Sequence, residues 1–174
     1  FHVENMFKGN YLVIPKTFSE KRDYVTTGFV KHKSLYGDAL FIVREPSWYD
    51  FAILTSSIHM VWTRLVCGRL KQDCRYSKDL VYNNYPFPKL AKEDNLMAFI
   101  EDSAFDIHKL RESYFEKGET YKSLYEPNTM PEDLRQAHHK LDKAVLKAYG
   151  LPANASEMEI ITLLLRRFKE LSTK

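Results

Sequence analysis

The 174-residue chain has the composition of an ordinary globular protein, with 44% hydrophobic and 28% charged residues. It lacks the roughly 18-residue apolar run that predicts a membrane helix, and its start lacks the basic and then apolar pattern of a secretory signal. The net charge of +3 is uneven, because residues 1–88 hold 12 basic and 8 acidic side chains whereas residues 89–174 hold 14 and 15. We therefore expect a cytoplasmic protein with no membrane partner, whose surface for a polyanion lies in the first half. Since the sequence opens abruptly in apolar residues without an initiator methionine, we interpret it as a piece of a longer protein.

Three segments of the first half are rich in β-branched and aromatic residues and are bounded by turn-forming residues. They are residues 11–15, 23–32 and 38–45. This pattern predicts a small mixed or antiparallel sheet, with a bulge or bend at Gly28.

A helical period follows the predicted strands. Apolar residues spaced by three and four from Ile58 to Val66 predict a helix that Ser56 or Ser57 can cap. The opposite side of this helix carries His59, Thr63, Arg64 and Cys67. Prolines on both sides of Phe87 favour an extended path through residues 76–88, and we place a domain boundary there.

The second half is predicted to be helical. Helices are expected at about 90–117 and 131–149, and a third begins at the Ser-x-x-Glu capping box of Ser156. In the last helix the predicted buried residues are Ile160, Ile161, Leu164, Leu165 and Phe168. The expected fold is α+β: a small mixed or antiparallel sheet with a packed helix in residues 1–88, then an all-α three-helix unit in residues 89–174, with about half of the chain helical.

Catalytic motifs are not evident in this sequence. It has no Gly-rich cofactor loop, and its nearest approach to an amino-methyltransferase pocket, residues 84–87, separates the prolines that such a pocket holds together. Cys67 and Cys74 are seven residues apart, too far for a common zinc motif, and His138 and His139 are adjacent on a helix, so one should be exposed and one packed. We predict no catalytic residue, no metal site and reduced cysteines.

The basic stretch 61–78 is the first candidate for DNA contact. It contains five basic residues and one acidic residue, and arginine in particular gives well-defined contacts to phosphate. The candidate phosphate-binding residues are Arg64, Arg69, Lys71, Arg75 and Lys78. We expect them on or beside the predicted helix, with Tyr76 next to them. A solvated basic face is the alternative, and composition alone favours neither.

The segment 16–24 is the second candidate, a polar loop between two predicted strands. Lys and Arg can read guanine, and Glu can accept from the cytosine amino group. The candidate base-reading residues are Lys16, Glu20, Lys21 and Arg22. Taken alone, the composition of this segment favours an ordinary charged loop.

Three long strings resemble one family. They are YLVIPKTFSEKRDY…GF at 11–29, LTSSIHMVWTRLVCGRLKQDCRYSKDLVYNNYPFP at 54–88 and LYEPNTMPEDLRQAHHKLDKAVLKAYG at 124–150. These strings resemble the MmeI-like single-chain restriction–modification enzymes. The first two are similar to the latter part of that family's target-recognition domain, and the third to its carboxy-terminal helical domain.

The resemblance implies a parent protein that transfers a methyl group from S-adenosylmethionine to adenine N6 at an asymmetric DNA site. It implies that this piece selects the site, and that the loop around Ser19–Arg22 approaches base edges, which adds weight to Glu20 and Arg22. The implied partners are double-stranded DNA and the methyltransferase domain of the same chain. No cofactor is assigned to this piece: S-adenosylmethionine belongs to the other domains, as does Mg²⁺ where the parent also carries a nuclease.

Two alternatives remain at this point. The chain could be part of a separate specificity subunit of a multi-subunit restriction system, although such a subunit repeats its unit and one copy is seen here. It could also be an interaction module whose helical half docks on a partner protein.

Overall fold

The computed structural model describes residues 9–30, 37–91 and 94–173. In these ranges the first half consists of two antiparallel three-stranded sheets and two helices, and the second half is helical. The structure is about 52% helical. The expected α+β class, with a helical second half, is confirmed.

The first sheet contains the three predicted strands. Strand β1 (Tyr11–Pro15) lies at its centre, with β3 (Gly28–Val30) on one side and β4 (Leu40–Arg44) on the other, both antiparallel to it. Strand β3 is shorter than the predicted segment, of which residues 31 and 32 lie outside the described residues. The prediction of an antiparallel sheet is thus confirmed in its core.

A second sheet was not predicted. It consists of β2 (Thr17–Ser19), β5 (Gly68–Leu70) and β6 (Asp73–Arg75), in the order β2-β6-β5. Three-residue strands are too short to show an alternating pattern in sequence. Their pairing joins segments about fifty residues apart, and Arg69 and Arg75 lie on a hairpin that follows the predicted helix.

Helix α1 (Trp48–Leu54) was missed, whereas the predicted helix is present as α2 (Ser57–Val66) with Ser56 as its cap. On the side of α2 opposite the apolar stripe, His59 and Thr63 are also fully buried. The chain after β6 covers that side of the helix. His59 Nε2 lies 3.1 Å from the hydroxyl of Tyr76, which is itself buried rather than beside the exposed cations.

Residues 76–88 follow the expected extended path only in their last part. A π-helical turn, Lys78–Tyr82, comes first, and its Val81 carbonyl accepts from Trp62 Nε1 at 3.0 Å. The extended part then passes through Pro86 and Pro88, as their ring geometry requires.

The second half contains α3 (Asn95–Phe115), α4 (Tyr121–Tyr125), α5 (Glu132–Ala148) and α6 (Glu157–Ser172). The three long helices and the Ser156–Glu159 capping box are confirmed, whereas the short α4 was not predicted. In α6 the expected burial of Leu165 is wrong. It is 44% exposed, and Leu163 is buried in its place.

One hydrophobic core runs through both halves. Helix α1 packs on α3, and α2 packs on α5 and α6, so buried residues of the first half continue into those of the second. Through this packing the helical half supports the sheets and helices that precede it.

Among the described residues, no helix has the length and apolar character needed to cross a membrane.

Candidate nucleic-acid interface

The second sheet brings the two candidate DNA-binding segments together. Strand β2 pairs with β6 so that Thr17 lies opposite Arg75 and Ser19 lies opposite Asp73. The loop Ser19–Asp23, here called the polar loop, begins where β2 ends. The hairpin Gly68–Arg75, here called the basic hairpin, lies directly beside it.

The polar loop forms a tight turn. The backbone N–H of Arg22 donates to the Ser19 carbonyl at 3.3 Å, and the N–H of Lys21 donates to the Ser19 hydroxyl at 3.3 Å. Both bonds are local to the turn, and neither involves the carbonyls of Glu20 and Arg22.

Arg64, at the end of α2, donates to both of these carbonyls. Its Nη2 donates to the carbonyl of Arg22 at 2.7 Å, and its Nε donates to the carbonyl of Glu20 at 3.3 Å. The guanidinium of this predicted phosphate contact is therefore directed at the backbone of the polar loop.

Arg69, in the basic hairpin, contacts the same loop through a side chain. Its Nη1 donates to Glu20 Oε2 at 2.6 Å, and its Nη2 reaches the carbonyl of Arg64 at 3.5 Å. Both side chains of the ion pair are 43% exposed. The second carboxylate oxygen of Glu20 has no hydrogen bond within the described part of the chain.

The other predicted base-reading residues differ in their exposure. The Arg22 side chain is 13% exposed, donates from Nη1 to the Thr26 hydroxyl at 2.9 Å and lies 3.9 Å from a carboxylate oxygen of Glu126. Lys16 is half-buried, with its ammonium 5.0 Å from the centre of the Phe41 ring. Lys21 is exposed at the turn.

The remaining predicted phosphate contacts are exposed cations around the basic hairpin. Lys71 is at its tip with φ +57°, a left-handed conformation that is uncommon outside glycine. Arg75 is exposed on β6, and Lys78 lies 3.6 Å from Asp79 on the following turn. Within the described residues no ion pair is formed by Lys71 or Arg75, so their charges are available to an anionic partner.

Buried polar groups connect this region to the helical half. Asp142 of α5 accepts from the Ser57 N–H at 2.8 Å and from the Tyr24 hydroxyl at 3.1 Å, just beyond the polar loop. Burial raises the pKa of Asp142 to about 6. Asp142 is buried because α5 packs this side against α2.

Arg111 of α3 makes a second connection. It is fully buried and donates to the Thr27 carbonyl at 2.8 Å, the Thr55 hydroxyl at 2.9 Å and the Tyr125 hydroxyl at 2.5 Å. No carboxylate lies within salt-bridge distance of its guanidinium among the described residues. Sequence reasoning missed Arg111, because an arginine on a helix is normally solvent-exposed.

Two buried histidines, His59 and His138, are structural in this arrangement. His138 is buried, with Nε2 2.7 Å from the Tyr125 hydroxyl, whereas His139 is exposed, so the prediction for this pair is confirmed. Burial lowers the pKa of His59 to about 3 and that of His138 well below its ordinary value. The described residues contain no group of three His, Cys, Asp or Glu side chains that could hold a metal, and Cys67 and Cys74 are free thiols.

Two family models match the sequence, one after the other. The MmeI target recognition domain covers residues 1–89, and the MmeI C-terminal domain covers residues 92–174. The chain belongs to the MmeI family. Both the predicted family and the predicted role of the chain as a target-recognition module are thereby confirmed.

Two individual proteins are similar to this chain. The chain is 36% identical over 166 residues to DNA methyltransferase A of Bacillus subtilis (strain 168), covering 95% of this chain and 18% of that protein. It is 35% identical to the Type IIL restriction–modification enzyme MmeI, solved in complex with DNA, with a TM-score of 0.90 over 98% of this chain and 22% of that one. The chain therefore spans about a fifth of the length of these relatives.

Proposed function

We propose that this chain selects the DNA site of an MmeI-family methyltransferase, and that it reads double-stranded DNA through its second sheet. The observation that carries the proposal is the pairing of β2 with β6. This pairing places the polar loop beside the basic hairpin in a chain that matches a target recognition domain. Base-edge contacts from the loop would set the sequence, and phosphate contacts from the hairpin would set the register.

Glu20 is the best-placed base reader in the polar loop. Arg69 holds one of its carboxylate oxygens at 2.6 Å, which leaves the other to accept a hydrogen bond from the amino group of cytosine. Lys21 is exposed beside it and can donate to guanine. Arg22 would exchange its hydrogen bond to Thr26 for one to a guanine edge. Lys16 is half-buried and lies just before β2, at the edge of the proposed base-reading surface.

The phosphate contacts are assigned to Lys71, Arg75 and Lys78. All three are exposed: Lys71 and Arg75 belong to the basic hairpin, and Lys78 follows it in the chain. Because each neutralised phosphate releases condensed counterions, DNA binding through these residues should weaken steeply as the salt concentration rises.

The rest of the proposal concerns the longer protein. We divide the chain into a recognition domain, residues 1–88, and a helical domain, residues 89–174, that braces it. The methyltransferase domain would bind S-adenosylmethionine, and flipping the target adenine out of the duplex would make its N6 accessible. Such a protein modifies chromosomal DNA and works in the bacterial cytoplasm.

The first experiment is methylome sequencing of cells that express the whole protein carrying this chain. One new N6-methyladenine motif is expected, and the variants described below then have a readout. If the protein is expressed and folded but no adenine becomes modified at a defined sequence, the proposed function is wrong.

The reading role of Glu20 is tested by Glu20→Gln in the same protein. An amide can donate as well as accept, so the variant should admit a different base pair at one position of the motif. An unchanged motif with lower methylation would remove Glu20 from the base-reading set.

A further inference from the structure

The geometry of the polar loop points to a role for Arg64 that differs from phosphate binding. We propose that Arg64 is a positioning residue for DNA specificity. Its guanidinium sets the backbone conformation of the polar loop. It thereby sets the direction in which the side chains of Glu20 and Arg22 extend from that backbone. The inference rests on the proposed function, because it assumes that this loop reads bases.

The contacts of Arg64 fit this role. Nε and Nη2 of one planar guanidinium donate to the carbonyls of Glu20 and Arg22, at 3.3 and 2.7 Å. The Glu20 carbonyl belongs to the peptide unit before Lys21 and the Arg22 carbonyl to the peptide unit after Arg22, so the two bonds together restrict the backbone at both ends of the Lys21–Arg22 pair. A lysine ammonium is a point donor and cannot reproduce the fixed spacing of the two N–H groups.

The position of Arg64 in the fold makes the restraint effective. It lies in the last turn of α2, a helix that is buried along most of its length and is capped by the Ser56 hydroxyl. The backbone position from which the Arg64 side chain extends is therefore well defined. A loop held only by its own local hydrogen bonds would vary in conformation. The rigid core of the domain is thereby linked to an exposed loop.

Other ion pairs hold the polar loop less firmly. Arg69 contacts the Glu20 carboxylate, Arg22 lies 3.9 Å from Glu126 and Arg135 of α5 lies 3.6 Å from Asp23, but each pair has a partner that is 42% exposed or more. Pairs of this kind are screened by solvent and salt. The half-buried hydrogen bonds of Arg64 to the loop backbone are the less screened restraint.

This role predicts a particular defect. A base-reading side chain whose backbone is no longer restrained can contact more than one kind of base pair. Loss of Arg64 should therefore make the methylated DNA motif less specific. Loss of a phosphate contact should instead weaken binding to all sequences alike. The two effects can be separated experimentally.

The test compares Arg64→Ala, Arg64→Lys and the matched control Arg75→Ala in the whole protein, by methylome sequencing and by DNA binding at several salt concentrations. Arg64→Ala should lower discrimination at the positions that the polar loop reads by roughly tenfold or more, with the salt dependence unchanged. Arg64→Lys should resemble Arg64→Ala. Arg75→Ala should keep the motif and reduce the salt slope by about one.

The contrary result is equally clear. If Arg64→Ala or Arg64→Lys keeps the motif and lowers the salt slope as Arg75→Ala does, Arg64 is a phosphate contact and the positioning role is wrong. Hydrogen exchange of the Lys21 and Arg22 amides, measured without DNA, separates this inference from the proposed function. Faster exchange in Arg64→Lys than in the parent supports the restraint even if no motif is found, and unchanged exchange contradicts it.

Discussion

Arg111 and Arg75 show how differently the two main polar regions of this molecule are built. Arg111 and Asp142 connect the second half to the first, and we call this buried region the joint. Arg111 is fully buried and donates to three neutral oxygen atoms of the first half and of α4. Arg75, on the second sheet, is exposed and forms no ion pair within the described residues. Removing a buried polar partner leaves the others unsatisfied, whereas an exposed cation keeps its hydration. The joint should therefore determine stability, and the second sheet should determine binding.

The largest effect is expected at Arg111. The substitution Arg111→Met keeps much of the volume but leaves the Thr27 carbonyl and the Thr55 hydroxyl buried without their donor. The free energy of unfolding should fall by about 3 kcal/mol or more. Urea denaturation of the chain measures this change. Arg75→Met is the matched control and should stay within about 0.5 kcal/mol of the parent. Equal effects at the two arginines would show that the comparison is wrong.

Acid should destabilise the fold through two buried histidines. His59 and His138 have lowered pKa values in the folded chain, so each contributes stability that is present above about pH 6.5 and is lost as the pH falls. The raised pKa of Asp142, about 6, acts in the opposite direction, since its contribution is present below about pH 4 and lost as the pH rises through 6. Between pH 6 and 4, two protons bound by the unfolded chain oppose one bound by the folded chain. These groups should therefore lower the free energy of unfolding as the pH falls through this window.

The variant Asp142→Asn sharpens this measurement. It removes the opposing proton but retains an oxygen that can accept from the Ser57 N–H. The pH dependence between pH 6 and 4, taken from urea denaturation, should then become about twice as steep. The same slope in both proteins would mean that Asp142 does not titrate in this window.

Gly28 tests the contact between the first sheet and α4. A Cβ atom at this position would lie 2.8 Å from Val13 Cγ2 and 2.9 Å from the Tyr121 hydroxyl. We expect Gly28→Ala to reduce the free energy of unfolding by about 2 kcal/mol, because both neighbours must move. Gly37→Ala is the control, since nothing lies within 4 Å of its added methyl group. Thermal unfolding that shows similar losses for both variants would rule out close packing as the cause.

Substitutions of Lys71 should have the smallest effect on stability. Two of them distinguish the effect of its charge from the effect of its backbone conformation. Lys71→Ala and Lys71→Gly both remove the cation, and each should reduce the salt slope of DNA binding by about one. At φ +57° glycine is unstrained, so the Gly variant should be about 1 kcal/mol more stable than the Ala variant. Parallel denaturation and DNA-binding measurements check both statements. A different salt slope in the two variants would show that the conformation of the tip also affects binding.

Several elements could be predicted because their patterns are local. Helix α2 has a three-and-four apolar spacing and a serine cap, and α6 begins at a capping box, so both starts were evident. In contrast, α1 is an almost wholly apolar segment of seven residues, without the periodicity that distinguishes a short helix from a strand. The strands of the second sheet are shorter still.

The candidate interface was predictable as a set of residues, but the role of each residue was not. The density of charge identified Arg64, Arg69 and Arg75 together. The structure separates them: Arg64 holds the loop backbone, Arg69 pairs with Glu20, and Arg75 is exposed. No pattern along the chain encodes this division, because it depends on where β2 meets β6.

By itself, the sequence determined the family, the α+β class, the long helices, the central sheet and the pool of DNA-binding candidates. These follow from local periodicity, capping residues and long specific strings, which need no knowledge of distant contacts. Only the tertiary structure decided that two segments fifty residues apart share one sheet, and that Arg111 and Asp142 are buried in the joint. Strand pairing and the burial of a charged group depend on what the rest of the chain places beside them.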